Sequence, residues 1–143
     1  MKKGFTLIEL LAVIIILAIV ALIATPIILD VVEDARKSAA KSEASMILSG
    51  IQNYCAIEDM KEQMNTLEGD PICTTTISVD NVKKMAKLGT ATVSSVTIES
   101  DGTYSLYVKS NGYLISIYKG VIPTSYTKTA DNVPSTAPTT ASE

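Results

Sequence analysis

A membrane-length apolar run near the N-terminus most constrains what this chain can fold into. From Gly4 to Leu29 the sequence reads GFTLIELLAVIIILAIVALIATPIIL and contains a single charge, Glu9. Residues 10–29 carry no charge, and twenty residues of α-helix span about 30 Å, the thickness of a bilayer core. The run therefore predicts a membrane-spanning helix. Lys2 and Lys3 precede it and favour a cytoplasmic N-terminus.

Two ordinary interpretations of this run fit the sequence poorly. A cleaved secretory signal has an apolar core of about 7–15 residues and ends in an A-x-A-like site. This run is longer and contains no A-x-A. A plain uncleaved membrane anchor fits the length and the flanking charges, but it leaves Glu9 without an explanation.

The residues Gly4-Phe5-Thr6-Leu7-Ile8-Glu9 form a recognisable unit. Together with the apolar run that follows, they resemble the N-terminal segment of type IV pilins and pseudopilins, and the match extends from Lys2 to about Pro26. The resemblance implies that a prepilin peptidase cuts between Gly4 and Phe5. It also implies that the same enzyme methylates the new amine of Phe5, and that the apolar helix stays attached.

The resemblance also gives Glu9 and Pro26 roles in assembly. An ionised carboxylate inside a bilayer costs several kcal/mol and normally faces a partner. The family implies that Glu9 meets the N-terminal amine of a neighbouring subunit; the alternative is a residue near the membrane surface that reaches water. Pro26 aligns with the proline at which the family helix bends or melts, because proline removes a helical hydrogen bond. The alternative for Pro26 is a helix end at the membrane boundary.

The resemblance and the changes in composition along the chain together predict four segments. They are a leader at residues 1–4, a transmembrane and filament-core helix at 5–29, a globular head at 30–119, and a flexible tail rich in Thr, Ser and Pro at 120–143. The tail has too few large apolar residues to order itself. The long helix is predicted to run to about residue 57, because one apolar stripe continues at helical spacing. The stripe consists of Ala40, Ala44, Ile47, Ile51 and Tyr54.

The head combines helical and strand patterns. A short helix is predicted from Ser78 or Asp80 to Gly89. Strand-like runs follow at 92–100, 103–110 and 113–119, separated by Asp101-Gly102 and Asn111-Gly112, which favour two-residue hairpin turns. The predicted fold class is α+β, with the second half of the helix packed on a three-stranded antiparallel sheet. The side chains predicted to face the helix are Val96, Ile98, Tyr104, Leu106, Val108, Tyr113, Ile115 and Ile117.

Cys55 and Cys73 are the two cysteines of the chain. A head outside the cytoplasm permits their oxidation, and we predict a disulfide that closes a loop of roughly 18 residues. Two unpaired thiols and a bridge between subunits are the alternatives.

The remaining chemistry argues against an enzyme. The chain has a net charge of −3 and no His. No zinc site, cofactor site or catalytic motif is predicted. No basic cluster is larger than Lys83-Lys84-Lys87, so a nucleic-acid footprint is absent. An acidic stretch from Glu58 to Asp70, with Glu68 inside it, is read as a solvated loop rather than a calcium site.

The predicted function is a structural one. The resemblance implies a pilin of a type IV pilus-like filament, inserted in the cytoplasmic membrane as a precursor and extracellular after polymerisation with other copies of itself. It implies three further partners: the prepilin peptidase and methyltransferase, an assembly ATPase and a membrane platform protein. The alternatives are a pseudopilin of a type II secretion or DNA-uptake machine, and a membrane-anchored binding domain that does not polymerise.

Overall fold

The computed structural model describes residues 4–65, 69–124 and 126–141. Residues 1–3 of the predicted leader, Glu68 of the acidic stretch and the last two residues of the predicted tail lie outside the described residues. The elements are, in order, α1 (Leu7–Gln63), β1 (Thr76–Ile77), α2 (Val79–Met85), β2 (Thr92–Val93), β3 (Val96–Ile98), β4 (Tyr104–Ser110), β5 (Tyr113–Ile117) and β6 (Thr127–Lys128). The fold class is α+β, as predicted.

The chain divides into two compact units, an N-terminal unit, Met1–Arg36, and a C-terminal unit, Lys37–Glu143. In the described part of the N-terminal unit, α1 carries an almost continuous exposed apolar surface. In the C-terminal unit, the stripe predicted from helical spacing is the buried face of α1. Ala40, Ala44, Ile47 and Ile51 are fully buried, while Tyr54 is half-buried. The helix ends at Gln63 rather than near residue 57.

The sheet is antiparallel throughout and has the strand order β1-β3-β4-β5-β6, with β2 also paired to β4. Its centre is the predicted meander, β3, β4 and β5. The two-residue strand β2 belongs to the predicted strand at residues 92–100, but two other two-residue strands, β1 and β6, extend the sheet beyond the prediction. They are too short to show the alternation of apolar and polar residues from which a strand is recognised in a sequence.

The predicted strand at residues 92–100 is divided into β2 and β3 by a bulge. Val93 pairs with Val108, and Thr97 pairs with Ser105, so three residues on one side lie opposite two on the other. The side chain of Ser94 occupies the irregular position: its Oγ accepts a hydrogen bond from Tyr107 N at 2.9 Å and donates one to Ser95 O at 2.7 Å. A one-residue bulge of this kind interrupts the ladder locally.

The two predicted hairpin turns differ. Asn111 and Gly112 have φ values of 52° and 84°, which is the type I′ geometry predicted for this dipeptide. At the other turn only Gly102 has a positive φ, 77°. Glu99 N donates to Thr103 O at 2.8 Å, so the loop has three residues rather than the predicted two. The reason is local: the Asp101 carboxylate accepts bonds from both the amide and the hydroxyl of Thr103.

The core of the C-terminal unit lies between α1 and the sheet. Six of the eight predicted inward residues of the sheet are buried, whereas Ile98 and Tyr104 are half-buried. The predicted short helix is α2, with Ser78 at its N-cap. The end of α2 approaches α1 closely at Gly50, where an added Cβ would lie 2.9 Å from Ala86 Cβ. The absence of a side chain at Gly50 permits this approach.

The segment predicted as a tail, residues 120–143, makes several contacts in its described part. β6 pairs with β5, and Lys109 Nζ donates to the main-chain carbonyls of Ala130 and Asp131. Further along, Ser95 donates to the carbonyl of Ser135 through both its amide, at 3.2 Å, and its hydroxyl, at 2.9 Å. The tail segment takes part in these contacts through its main-chain groups, which is why a composition poor in large apolar residues does not reveal them.

Candidate functional site

The start of α1 is held by a reciprocal pair of hydrogen bonds between Thr6 and Glu9. Glu9 Oε2 accepts from Thr6 N and from Thr6 Oγ, both at 2.8 Å, and Thr6 Oγ accepts from Glu9 N at 3.3 Å. Thr6 stands at the N-cap and Glu9 at the third helical position, which is the arrangement of a capping box. The carboxylate accepts from Thr6 N and the hydroxyl accepts from Glu9 N, so each satisfies one main-chain N–H that the first turn of a helix leaves unpaired.

Gly4 and Phe5 lie before this cap, in chain that is not helical. Phe5 is 92% exposed, and an added Cβ at Gly4 would meet nothing within 4 Å. The peptide bond between them is thus outside the helix and exposed in the N-terminal unit.

The helix that follows exposes its apolar side chains all round. Large apolar side chains from Leu7 to Val32 are 41–83% exposed in the N-terminal unit. The most apolar 18-residue window of α1 has a mean hydropathy of 3.2 and is not buried, so α1 is long and apolar enough to cross a membrane. A contiguous apolar surface of this size requires either lipid or protein around it.

Pro26 lies inside α1, so the helix does not end there. Proline has no N–H to donate to the carbonyl four residues earlier. The preceding residue, Thr25, makes its own bond within the helix: its Oγ donates to Ala21 O at 2.7 Å. The only polar uncharged side chain between Glu9 and Asp30 is therefore satisfied by its own backbone.

Cys55 and Cys73 form a disulfide, with their Cα atoms 5.5 Å apart. The bridge joins α1 to the segment before β1, as the predicted pairing requires. In the chain-entropy model, a disulfide that closes a loop of this length stabilises the fold by about 3 kcal/mol.

Glu58 provides a second connection at the same place. Its side chain is buried, and its two carboxylate oxygens accept from Ile72 N at 2.9 Å and Cys73 N at 2.6 Å. The interpretation of this residue as part of a solvated loop is therefore wrong. A buried carboxylate survives here because two main-chain donors meet it.

The other charged residues of the described part do not assemble a reactive centre. Lys83 pairs with Asp80 at 3.0 Å within α2, and both side chains are exposed. Within residues 4–65, 69–124 and 126–141, no three His, Cys, Asp or Glu side chains approach closely enough to hold a metal ion.

Thr6 and Glu58 are the residues whose roles sequence reasoning missed. The T-x-x-E spacing from Thr6 to Glu9 is typical of a capping box. The charge of Glu9 was interpreted as needing a partner in another subunit, so the hydrogen bonds to Thr6 were not predicted. Glu58 carries no comparable signal, because its partners are main-chain amides 14 and 15 residues away.

Residues 1–25 match the family model of the prokaryotic N-terminal methylation motif. This motif is the prepilin signature of type IV pilins and pseudopilins. Searches of curated proteins and of solved structures gave no significant match to the chain.

The chain thus carries the N-terminal segment of a type IV pilin-like or pseudopilin-like precursor, and its α+β fold is consistent with the pilin fold. The motif points to a structural protein, and together with the apolar α1 it fits a membrane-anchored precursor.

Proposed function

We propose that this chain is the pilin subunit of a type IV pilus-like filament. In this proposal it enters the cytoplasmic membrane as a precursor, is cut between Gly4 and Phe5, and is methylated on Phe5. An assembly ATPase and a platform protein then move it into an extracellular polymer of identical copies. The observation that carries the proposal is the methylation motif at residues 1–25 on a helix whose apolar side chains are exposed all round.

The apolar surface of α1 gives the reason for polymerisation. Burying one large apolar side chain is worth about 1.5–3 kcal/mol. Nineteen such side chains between Phe5 and Val32 are exposed, so a single copy in water would forgo tens of kcal/mol. Once the helix leaves the lipid, its apolar side chains can be buried against the equivalent helices of other copies. Leu, Ile, Val and Ala also pack by dispersion without directional bonds.

Glu9 gives the contact its register. Cleavage creates a charged amine on Phe5 at the N-terminal end of α1, where the helix dipole disfavours positive charge. A carboxylate nearby offsets that charge, whether it belongs to the same copy or to a neighbour. In a core otherwise made of apolar side chains, sliding one copy by a step would separate the amine from its carboxylate. Buried polar pairs fix register in coiled coils for the same reason.

A substitution at Glu9 tests the proposal in the native cell. Glu9→Val makes the helix more apolar, so membrane insertion should be retained, whereas filaments should become scarce or irregular. Thr25→Val is the matched control, because it removes a polar side chain that bonds only its own backbone among the described contacts. Abundant normal filaments from Glu9→Val would reject the proposed pairing.

A second substitution tests the processing step. Gly4→Leu places a bulky side chain beside the bond to be cut, and uncut precursor should accumulate in the membrane. The measurement is an immunoblot of the membrane fraction that resolves precursor from mature subunit. Normal processing of Gly4→Leu would show that the cut lies elsewhere.

The motif is shared by pilins and pseudopilins, and a long filament separates the two. We expect filaments sheared from cells to contain this chain as their main subunit. If the chain is instead a minor component of a short assembly in the envelope, the pseudopilin of a secretion or DNA-uptake machine is the better description. An intact Met1 in the mature protein would favour a membrane-anchored domain.

A further inference from the structure

We propose that Thr6 is a positioning residue for assembly: it holds Glu9 by one carboxylate oxygen and leaves the other oxygen to the amine of a neighbouring copy. The inference rests on the proposed function, since it assigns a residue that prepares Glu9 for its partner. Its basis is the geometry at the start of α1, where the two donors of Thr6 meet the same atom of Glu9.

The division of the carboxylate between two partners follows from these bonds. Thr6 N and Thr6 Oγ both donate to Oε2 of Glu9, at 2.8 Å. An ionised carboxylate has about four acceptor positions on its two oxygens. The capping box therefore satisfies part of the carboxylate and fixes its direction. Oε1, which the box does not use, is the oxygen to which a cation can donate without breaking the box.

The proposed cut preserves this arrangement. It falls before Phe5, so the amide between Phe5 and Thr6 remains an ordinary peptide N–H in the mature chain. Thr6 can donate from its amide and hydroxyl both before and after processing. The new amine then stands one residue before the N-cap. A cut one residue later would instead make the nitrogen of Thr6 itself the terminal amine.

The hydroxyl of Thr6 has two tasks that few side chains can perform at once. It donates to Glu9 Oε2 and accepts from Glu9 N, at 2.8 and 3.3 Å. A hydroxyl can do both because it has one donor and two acceptor lone pairs. Val has nearly the shape of Thr but no hydroxyl, whereas Ser keeps the hydroxyl. Thr6→Val and Thr6→Ser are therefore a matched pair.

The experiment measures incorporation into filaments in competition with the unaltered chain. Each variant is co-expressed with it in the native cell, and the N-terminal peptides of sheared filaments are quantified by mass spectrometry. The ratio in filaments is divided by the ratio in the processed membrane pool, which removes differences in expression, insertion and cleavage. We expect Thr6→Val to enter filaments about five-fold less than the unaltered chain, the factor that a lost capping interaction implies. Thr6→Ser should enter within about two-fold of it.

A double variant distinguishes positioning from capping. Gln can complete a capping box as Glu does, but it cannot pair as an anion with an amine. If Thr6 acts by presenting the carboxylate, Thr6→Val should cause no further loss when combined with Glu9→Gln. An equal loss in both backgrounds would show that Thr6 only caps the helix and would overturn the inference.

Thr6→Val alone can also refute the inference. Equal incorporation of Thr6→Val and the unaltered chain would overturn the inference while leaving the proposed function intact. If the unaltered chain enters no filament at all, the proposed function itself fails. The two failures are therefore distinguishable in the same preparation.

Discussion

Glu58 offers the sharpest test of what holds the C-terminal unit together. The residue is 6% exposed, and its carboxylate accepts hydrogen bonds from two successive main-chain amides, Ile72 N and Cys73 N. Glu58→Gln keeps the size and shape of the side chain. One oxygen remains to accept, but the new NH₂ group faces the second N–H, and the charge that strengthened both bonds is gone.

The expected cost follows from the bonds that change. A hydrogen bond to a charged group contributes about 1.5–3 kcal/mol, and an amide left buried without a partner costs about 1–3 kcal/mol. We therefore expect Glu58→Gln to lower the free energy of unfolding by about 2–3 kcal/mol. For a unit of about 100 residues, this corresponds to a decrease in Tm of roughly 10 °C.

The assay is thermal unfolding of the full chain in detergent, followed by circular dichroism. Glu62→Gln is the matched control, because Glu62 is exposed, lies on the same helix and undergoes the same change of charge. A surface change of this kind should alter stability by no more than about 0.5 kcal/mol. If Glu58→Gln unfolds at the same temperature as Glu62→Gln, the two amide bonds do not stabilise the unit and this reasoning is wrong.

Three further predictions concern the same unit. Gly50→Ala should destabilise it by about 1–3 kcal/mol in urea unfolding, because the new methyl would overlap Ala86 Cβ, although Ala is the better helix former. Gly112→Ala should cost about 1–2 kcal/mol in the same assay, because φ there is 84°; no loss would argue against the type I′ turn. Hydrogen bonds from Thr103 lower the pKa of Asp101, so the charged form is favoured by folding. The advantage of the unaltered chain over Asp101→Asn should therefore be complete above about pH 4, the pKa of an unfolded Asp, and should disappear as pH falls through the folded pKa. A Tm difference independent of pH would contradict this assignment.

The parts of the fold that the sequence predicted are those governed by a period or a special dipeptide. The buried stripe of α1 follows from helical spacing, and the β4–β5 turn follows from Asn111-Gly112. The unpredicted parts depend on single side chains that replace main-chain bonds. Ser94 creates the bulge between β2 and β3, and Asp101 changes the length of its turn. Neither hydrogen bond is indicated by a periodic pattern of residues in the sequence.

For the candidate site, the sequence predicts the segment in which it lies but not the hydrogen bonds between Thr6 and Glu9. The Gly4–Glu9 motif located it, and residues 1–25 match the methylation motif. A hydropathy pattern reveals side-chain charge, so from the sequence Glu9 is expected to need a cation. The structure adds that Thr6 donates two hydrogen bonds to one oxygen of the Glu9 carboxylate. Hydrogen bonds between neighbours in sequence depend on where the helix begins, and an apolar pattern fixes that point only to within a few residues.

The most direct test of the account is the mass of the subunit recovered from filaments of the native cell. The account predicts a chain that begins at Phe5, carries one added methyl group on its terminal amine, and is present in many copies per filament. A chain that still begins at Met1, recovered only as separate single copies in the membrane, would contradict it.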